Sequence, residues 1–493
     1  MIRSITRSIT PATLLLLALA LTWACLHRGP WYDEFYTQFV SRPGVPWWGT
    51  MRDSWLADNH PPLYYALARA TAWLGPVSHH RLLNLAIGGL AVAGCIAIGR
   101  DVPRLAPAAA GLALAIAANE WTLLEGSELR SYFLSLCSGS VLALALCAWH
   151  VAGAKASTAR RATYWIAALV GFNTHIISSL TCAALAGVFL VPAFWQRDWR
   201  RVRAIAVPPL VAGLILVAIT AVQLPMWLAN TSVFWIEPGF ASARWAIERG
   251  VAHSLTANPV LLVGALAGAG LMARDVLLLR KPSGEAGALA LLATGVAIAA
   301  TGIVALHMLR PMVIEKYMMV LLAAVALGVA LGFGRLLEAL GARLRLLVLA
   351  AAFVATVLAM VHNTRAAAAR DGWFGSGRVV AAEVARCPGT IVHAYPDWND
   401  AVFVALPRDN AQVVPFGHRY VAEAMGFDLA PAGSRALSRT CPTIFWGEHD
   451  NLHRWNAATV IARLKDRGVV VPGLRFRRIG PGWVAIVPPQ PAH

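Results

Sequence analysis

Apolar runs of about 17 to 22 residues recur along most of this chain, and that recurrence leaves few folds open. A run of this length spans the hydrocarbon of a bilayer as an α-helix, and lipid offers no water to satisfy a backbone in any other open form. The runs lie near 11–27, 80–99, 105–120, 131–150, 163–178, 180–195, 204–223, 257–279, 286–306, 317–334 and 345–361, about eleven in all. Only 14% of the 493 residues are charged and 58% are hydrophobic, where a soluble domain carries roughly 25% charged residues. The expected architecture is an all-α polytopic membrane domain over 1–362, with a long first loop at about 28–79, followed by a soluble α/β domain over 363–493.

The 42 Lys and Arg against 25 Asp and Glu give a net charge of +17. Nucleic-acid binding would gather these cations in a stripe interleaved with aromatics, and none is present. They fall instead in short gaps between runs, as with Arg3 and Arg7, Arg100 and Arg104, Lys155, Arg160 and Arg161, Arg197 to Arg203, Arg280 and Lys281, and Arg335 to Arg345. If the spans alternate and the N-terminus is cytoplasmic, all of these share the cytoplasmic face, as the positive-inside rule requires. The reading is a multi-pass inner-membrane protein with no nucleic-acid partner, its first long loop and C-terminal domain periplasmic. The start also fits a cleavable signal, with basic residues, an apolar run and "ALA" at 18–20. Retained as a span, it holds the following loop at the membrane surface, where Trp31, Trp47, Trp48 and Trp55 suit the headgroup level.

Beyond residue 362 the apolar runs shorten. "GTIVHAY", "AQVVPF", "PTIFWGE" and "WVAIVPP" read as strands, and "GSGRVVAAEVARC" and "NAATVIARLKDRG" as helices. Their alternation suggests a mostly parallel sheet. The "GSG" at 375–377 follows no clear strand and lacks the rest of a nucleotide fingerprint. Cys387 and Cys441 belong to no CxxC, so zinc is not indicated; outside the cytoplasm the two could pair, but spacing alone does not show proximity.

Several polar residues sit where the chain leaves the bilayer. Asp33 and Glu34 lie in "GPWYDEFY", just past the first span, and Asp58, Asn59 and His60 follow in "ADNHPPLYY". Carboxylates are costly at the edge of lipid, and an ionised one can accept a proton. "LLEGSELRSYFL" places Glu125, Glu128, Arg130 and Tyr132 on the same outer side, where an arginine runs against the positive-inside bias and suits a phosphate. His175 stands at the junction of two short runs, and Lys316 and Tyr317 open a late span in "HMLRPMVIEKYMM". There is no P-loop, HExxH or G-x-S-x-G. Any enzyme here must work with carboxylates and cations at the outer membrane surface.

The order of these features resembles the GT-C superfamily of polyprenyl-phosphate-sugar-dependent glycosyltransferases. The nearest branch holds the protein O-mannosyltransferases, the aminoarabinose transferase for lipid A and the RgtA/B/C/D-like enzymes. The resemblance covers roughly 11–340 and rests on the acidic pair, "DNHPPLYY" and "SELRSY" in sequence. It implies Asp33 as catalytic base with Glu34 beside it. It implies Asp58, His60, Glu128, Arg130, Tyr132, His175, Lys316 and Tyr317 as substrate-binding residues, with Arg130 near the donor phosphate. Lys316 departs from the family's usual Arg-Tyr, keeping the charge and losing the bidentate fork.

The function implied is inverting transfer of a sugar from a polyprenyl-phosphate donor to a lipid, glycan or protein acceptor. No cofactor is certain. A divalent metal is left open by Asp33, Glu34, Asp58 and His60 within one loop. A transporter or flippase of lipid-linked sugars is the alternative; it calls for charges at mid-membrane and repeats of opposed topology, and the sequence offers neither. A bare membrane anchor for the C-terminal domain would leave the outer-loop acids idle.

Overall fold

The computed structural model describes residues 2–58, 60–153, 155–229, 236–280, 283–394, 407–450 and 454–490. Asn59 and Trp235 lie outside them. Among the described residues nine helices are long and apolar enough to cross a membrane. A tenth span is the pair Pro103–Ala118 and Glu120–Gly126, bent by 69°. Thr158–Phe172, at 15 residues, stands where an eleventh run was expected and is shorter than a full crossing. The chain is a multi-pass membrane protein.

Two helices form the hub. Tyr132–Ala152 is buried along its whole length and Glu315–Ala339 along most of it. The other long helices surround them and turn leucines such as Leu214, Leu266 and Leu358 outward. In lipid, close packing replaces hydrophobic burial as the force between helices, so small residues matter at the contacts. Gly268 of Pro259–Leu277 lets that helix meet the hub backbone to backbone, and Gly264 makes room for the Phe333 ring. A Cβ at Gly268 would stand 1.8 Å from the carbonyl oxygen of Gly332.

The bend at Asn119 is a local capping event. Its side chain accepts from the Trp121 amide at 2.9 Å, ending one helix and starting a short second one across the bundle's end. This lays Glu125 and Glu128 at the bundle's end, and the loop after it leads into the hub helix at Tyr132.

The C-terminal region begins after the last span, Ala342–Ala368. Among the described residues four strands, β1 (Ile391–His393), β2 (Thr443–Gly447), β3 (Arg475–Ile479) and β4 (Gly482–Val487), form a sheet in the order β1-β2-β4-β3. Of the pairings described, β1 with β2 is parallel and the other two are antiparallel. The mostly parallel sheet expected from the sequence is corrected to a mixed one. β3 and β4 form a hairpin over Gly480 and Pro481, with Gly480 at φ 55°, the left-handed backbone such tight turns need. "AQVVPF" is not a strand but part of the helix Pro407–Met425. Its buried residues Val413 and Val414, Gly417 and His418, Val421 and Ala422 recur every four positions, a period too long to see in six residues. Cys387 and Cys441 are joined in a disulfide that ties the end of helix Gly372–Arg386 to the start of β2.

The two regions are in intimate contact. The Gly29 amide donates to the Arg370 carbonyl at 2.9 Å, and the Trp373 amide donates to the Pro30 carbonyl at 2.8 Å. A Cβ on Gly29 would lie 1.7 Å from the Asp371 carbonyl oxygen. Gly29→Ala therefore requires a backbone shift and should cost about 1–3 kcal/mol. The check is the melting temperature of the detergent-solubilised protein, which should fall.

Candidate active site

The acidic pair opens the short helix Tyr32–Val40. Adjacent residues on a helix point about 100° apart, so the two carboxylates part company. Asp33 faces the bundle's end. Its Oδ2 lies 3.0 Å from Lys316 Nζ and 3.8 Å from Arg130 Nε. Burial works to raise the Asp33 pKa, but the two cations outweigh it and hold the carboxyl below the usual carboxylate range. Its side chain keeps 21% of its surface exposed, enough to be reached.

Glu34 is fully buried and paired with Arg81, whose Nε and Nη2 donate to its two oxygens at 2.7 and 2.6 Å. It also accepts from the Leu129 amide at 2.8 Å. It shares neither Lys316 nor Arg130 with its neighbour.

Arg130 lies almost wholly buried, its Nη1 3.3 Å from Thr37 Oγ1 and 3.4 Å from the Tyr65 hydroxyl. Tyr65 in turn donates to Asp58 at 2.5 Å, and His60 Nδ1 lies 3.3 Å from the same carboxylate. Burial opposes ionisation of Asp58, yet His60, Tyr65 and Arg130 keep its pKa lowered. Gln223 reaches in from its span to donate to the carbonyls of Asp58 and His60 at 2.8 and 2.9 Å, fixing this loop to the bundle.

His175 caps Ile176–Trp195, its Nδ1 accepting from the Ile177 amide at 3.2 Å. Its ring lies 4.3 Å from Tyr317, 5.3 Å from His60 and 6.0 Å from Tyr132. The Lys316 ammonium sits over two rings, 4.4 Å from Trp31 and 5.0 Å from Tyr132. The structure thus gathers Asp33, Arg130, Tyr132, His175, Lys316 and Tyr317, with Asp58 and His60 joined through Tyr65 and His175. Glu128 is drawn instead to Arg28 in a buried ion pair. The four residues considered for a metal do not converge. Among the described residues no three His, Cys, Asp or Glu side chains come close enough to hold one.

Several contributors escaped the sequence reading. Arg81 and Arg28 were not singled out; Arg81, beside a long apolar run on the same side as Arg130, was the signal that could have found the pair. Trp31 read as an interfacial anchor, and Tyr65 was not singled out within "HPPLYY". A cavity of about 980 Å³ borders Lys316 and Trp31. Trp121, Trp245 and Glu125 also line it, and it reaches Arg370 where the C-terminal region begins. Glu125 is buried, and its Oε2 has no hydrogen-bond partner among the described residues.

Three helix N-termini meet here. Arg130 precedes Tyr132–Ala152, Lys316 lies in the single turn before Met319–Ala339, and His175 caps Ile176–Trp195. Each N-terminus carries about half a positive charge. Cations placed at such ends repel them, so the arrangement calls for an anion, and Asp33 is the one that meets both Lys316 and Arg130.

No protein-family model matches the chain, and no curated protein sequence matches it. Two solved structures share its overall architecture. ArnT from Cupriavidus metallidurans in the apo state has 14% identity and a TM-score of 0.52, covering 96% of this chain and 97% of that one. The same protein bound to undecaprenyl phosphate has 15% identity, a TM-score of 0.52 and 97% coverage of both chains. The chain shares the fold of these structures. At this identity the likeness speaks for the fold, a polytopic membrane domain with a C-terminal α/β domain.

The two acids should separate under mutation. Glu34→Ala strands the buried Arg81 guanidinium and should cost about 3–5 kcal/mol. Its melting temperature should drop sharply, and Glu34→Gln, which keeps an acceptor for Arg81 and for the Leu129 amide, should lose less. If Glu34→Ala melts like the wild type, the structural role is wrong.

Proposed function

We propose that this chain is an inverting glycosyltransferase that moves a sugar from a polyprenyl-phosphate donor to an envelope acceptor at the outer face of the inner membrane. In this reading the N-terminus is cytoplasmic, and residues 363–493 form a periplasmic domain on the catalytic domain 1–362. The observation that carries it is Asp33 held between Lys316 and Arg130 where three helix N-termini converge. That is a carboxylate base beside a cationic cradle with room for a second anion. A neighbour of the same fold is described bound to undecaprenyl phosphate, which favours a lipid phosphate as that anion.

The donor phosphate diester enters the cradle and takes over Lys316 and Arg130. Asp33 loses the ion pairs that hold its proton affinity down and becomes a stronger base at the moment the donor is bound. The acceptor hydroxyl attacks the anomeric carbon from the face opposite the phosphate. Its proton passes to Asp33, the bond from the anomeric carbon to the phosphate oxygen breaks, and polyprenyl phosphate departs. Charge growing on that oxygen is met by Arg130 and Lys316. Tyr132, Tyr317 and His175 wall the cradle, while Asp58 and His60 brace Arg130 through Tyr65. Glu34 acts at one remove, by seating the helix of Asp33 on Arg81, and Glu128 by holding Arg28. The cavity beyond Lys316 suits a saccharide, with indole faces for stacking and Glu125 to accept from a hydroxyl.

The test is mass spectrometry of envelope glycolipids from cells with and without the gene, joined to undecaprenyl phosphate binding by the purified protein. Asp33→Asn should lower product formation about 10²–10⁴-fold and leave binding of undecaprenyl phosphate in place. Lys316→Ala should weaken that binding. An Asp33→Asn chain that forms product as the wild type does would exclude the mechanism.

A further inference from the structure

The helix that bears Asp33 is seated by Glu34 on Arg81, but its start has no capping side chain. Trp31, at its N-cap, makes no side-chain capping bond, and the helix is only nine residues long. An uncapped first turn frays, and Asp33 lies in that turn. The C-terminal domain supplies what the cap does not. Phe35 packs on Trp373 at 4.9 Å and on Tyr420 at 5.4 Å. Tyr32, the residue before Asp33, stacks on His449 with ring centroids 4.1 Å apart and planes 19° from parallel.

His449 reaches Tyr32 from the loop after β2, and it does so in a left-handed backbone conformation, φ 65°. A residue other than glycine costs about 1–3 kcal/mol there and persists only where its surroundings impose it. The residues on either side impose it. Glu448 is fixed by Ser376 and by Trp446 Nε1. Asp450 accepts from Arg478 Nη1 at 2.6 Å and from the amides of Arg454 and Trp455, and its own amide donates to the Pro481 carbonyl at 2.9 Å. Strain held this firmly and spent on one side chain marks a site whose geometry matters.

We propose that His449 is a positioning residue for Asp33, so that the C-terminal domain completes the reaction centre rather than standing beside it. The inference rests on the glycosyl transfer proposed above. The stack on Tyr32 holds the first helical turn and keeps the Asp33 carboxylate aimed between Lys316 and Arg130. The titratable and charged groups around the imidazole are Tyr32, Asp33, Lys316 and Asp450. Burial lowers the His449 pKa to about 4, with Asp33 opposing and Lys316 adding to the effect. The ring is therefore uncharged at neutral pH and leaves Asp33 to its two cations.

His449→Gly removes the ring and relaxes the backbone, so a residue that only packs and one that positions Asp33 part company. Three readouts are taken for wild type, His449→Gly and Tyr32→Ala: product in envelope glycolipids per folded molecule, the Kd for undecaprenyl phosphate, and the melting temperature. The expected result for His449→Gly is a loss of product of about tenfold or more, a Kd within about twofold of wild type, and an equal or higher melting temperature. Tyr32→Ala should lose product to a similar degree. Product per folded molecule equal to wild type in His449→Gly overturns the proposal, whatever its melting temperature. If His449→Gly does not fold, His449→Asn, which tolerates the left-handed backbone, is measured by the same three readouts, and wild-type product from it overturns the proposal equally. A wild-type chain that modifies no envelope lipid, glycan or protein removes the transferase reading itself, and this inference with it.

Discussion

One guanidinium holds together the end of this molecule that carries Asp33. Arg81 has five N–H groups and every one is used. Two go to the oxygens of Glu34, two to the carbonyls of Cys25 and Arg28, and one to the carbonyl of Gly29. The end of the first span, the acidic helix and the start of the second span are thereby locked at one point, and Glu34 extends the lock to the Leu129 amide. A lysine has three donors and no planar fork and could not close the same set. Because this joint is buried and satisfied, Asp33 on the neighbouring position can be held at the surface of the bundle without being sealed inside it.

The second organising fact is electrostatic. Positive side chains belong at the C-terminal ends of helices, yet Arg130 and Lys316 stand at the N-terminal ends of the two hub helices. The fold tolerates this because Asp33 answers both charges and because Trp31 and Tyr132 offer ring faces to the ammonium. An incoming phosphate would meet donors and dipoles already aimed at it. Such a site is built before its ligand arrives, which is how a fixed environment stabilises charge that develops during reaction.

The sequence disclosed what chemistry makes conspicuous. Asp33, Arg130 and Lys316 stood out because charge at the edge of an apolar run is costly and Arg130 broke a topological bias. Most spans followed from run length, but the structure makes 105–120 one arm of a bent pair and 163–178 part of a helix too short to cross. What escaped was whatever depends on direction or distance along the chain. Glu34 shares its neighbour's chemistry and differs only in where it points. Glu128 has a partner, Arg28, a hundred residues earlier. The helix Pro407–Met425 was lost because its four-residue period exceeds the window in which "AQVVPF" looks extended. His449 lies more than four hundred positions from Tyr32, and only tertiary structure brings the rings together.

The backbone contact at Gly29 has an evolutionary corollary. Where two lobes touch through side chains, one can be swapped for another and the surface repaired by a few substitutions. Here the main chain after the first span lies against the main chain at Asp371 and Gly372, with no room for a single methyl group. A transplanted C-terminal lobe would have to bring the matching "RGPWYDEF" segment with it, so recombination that alters one end of this gene without the other should yield proteins that do not assemble.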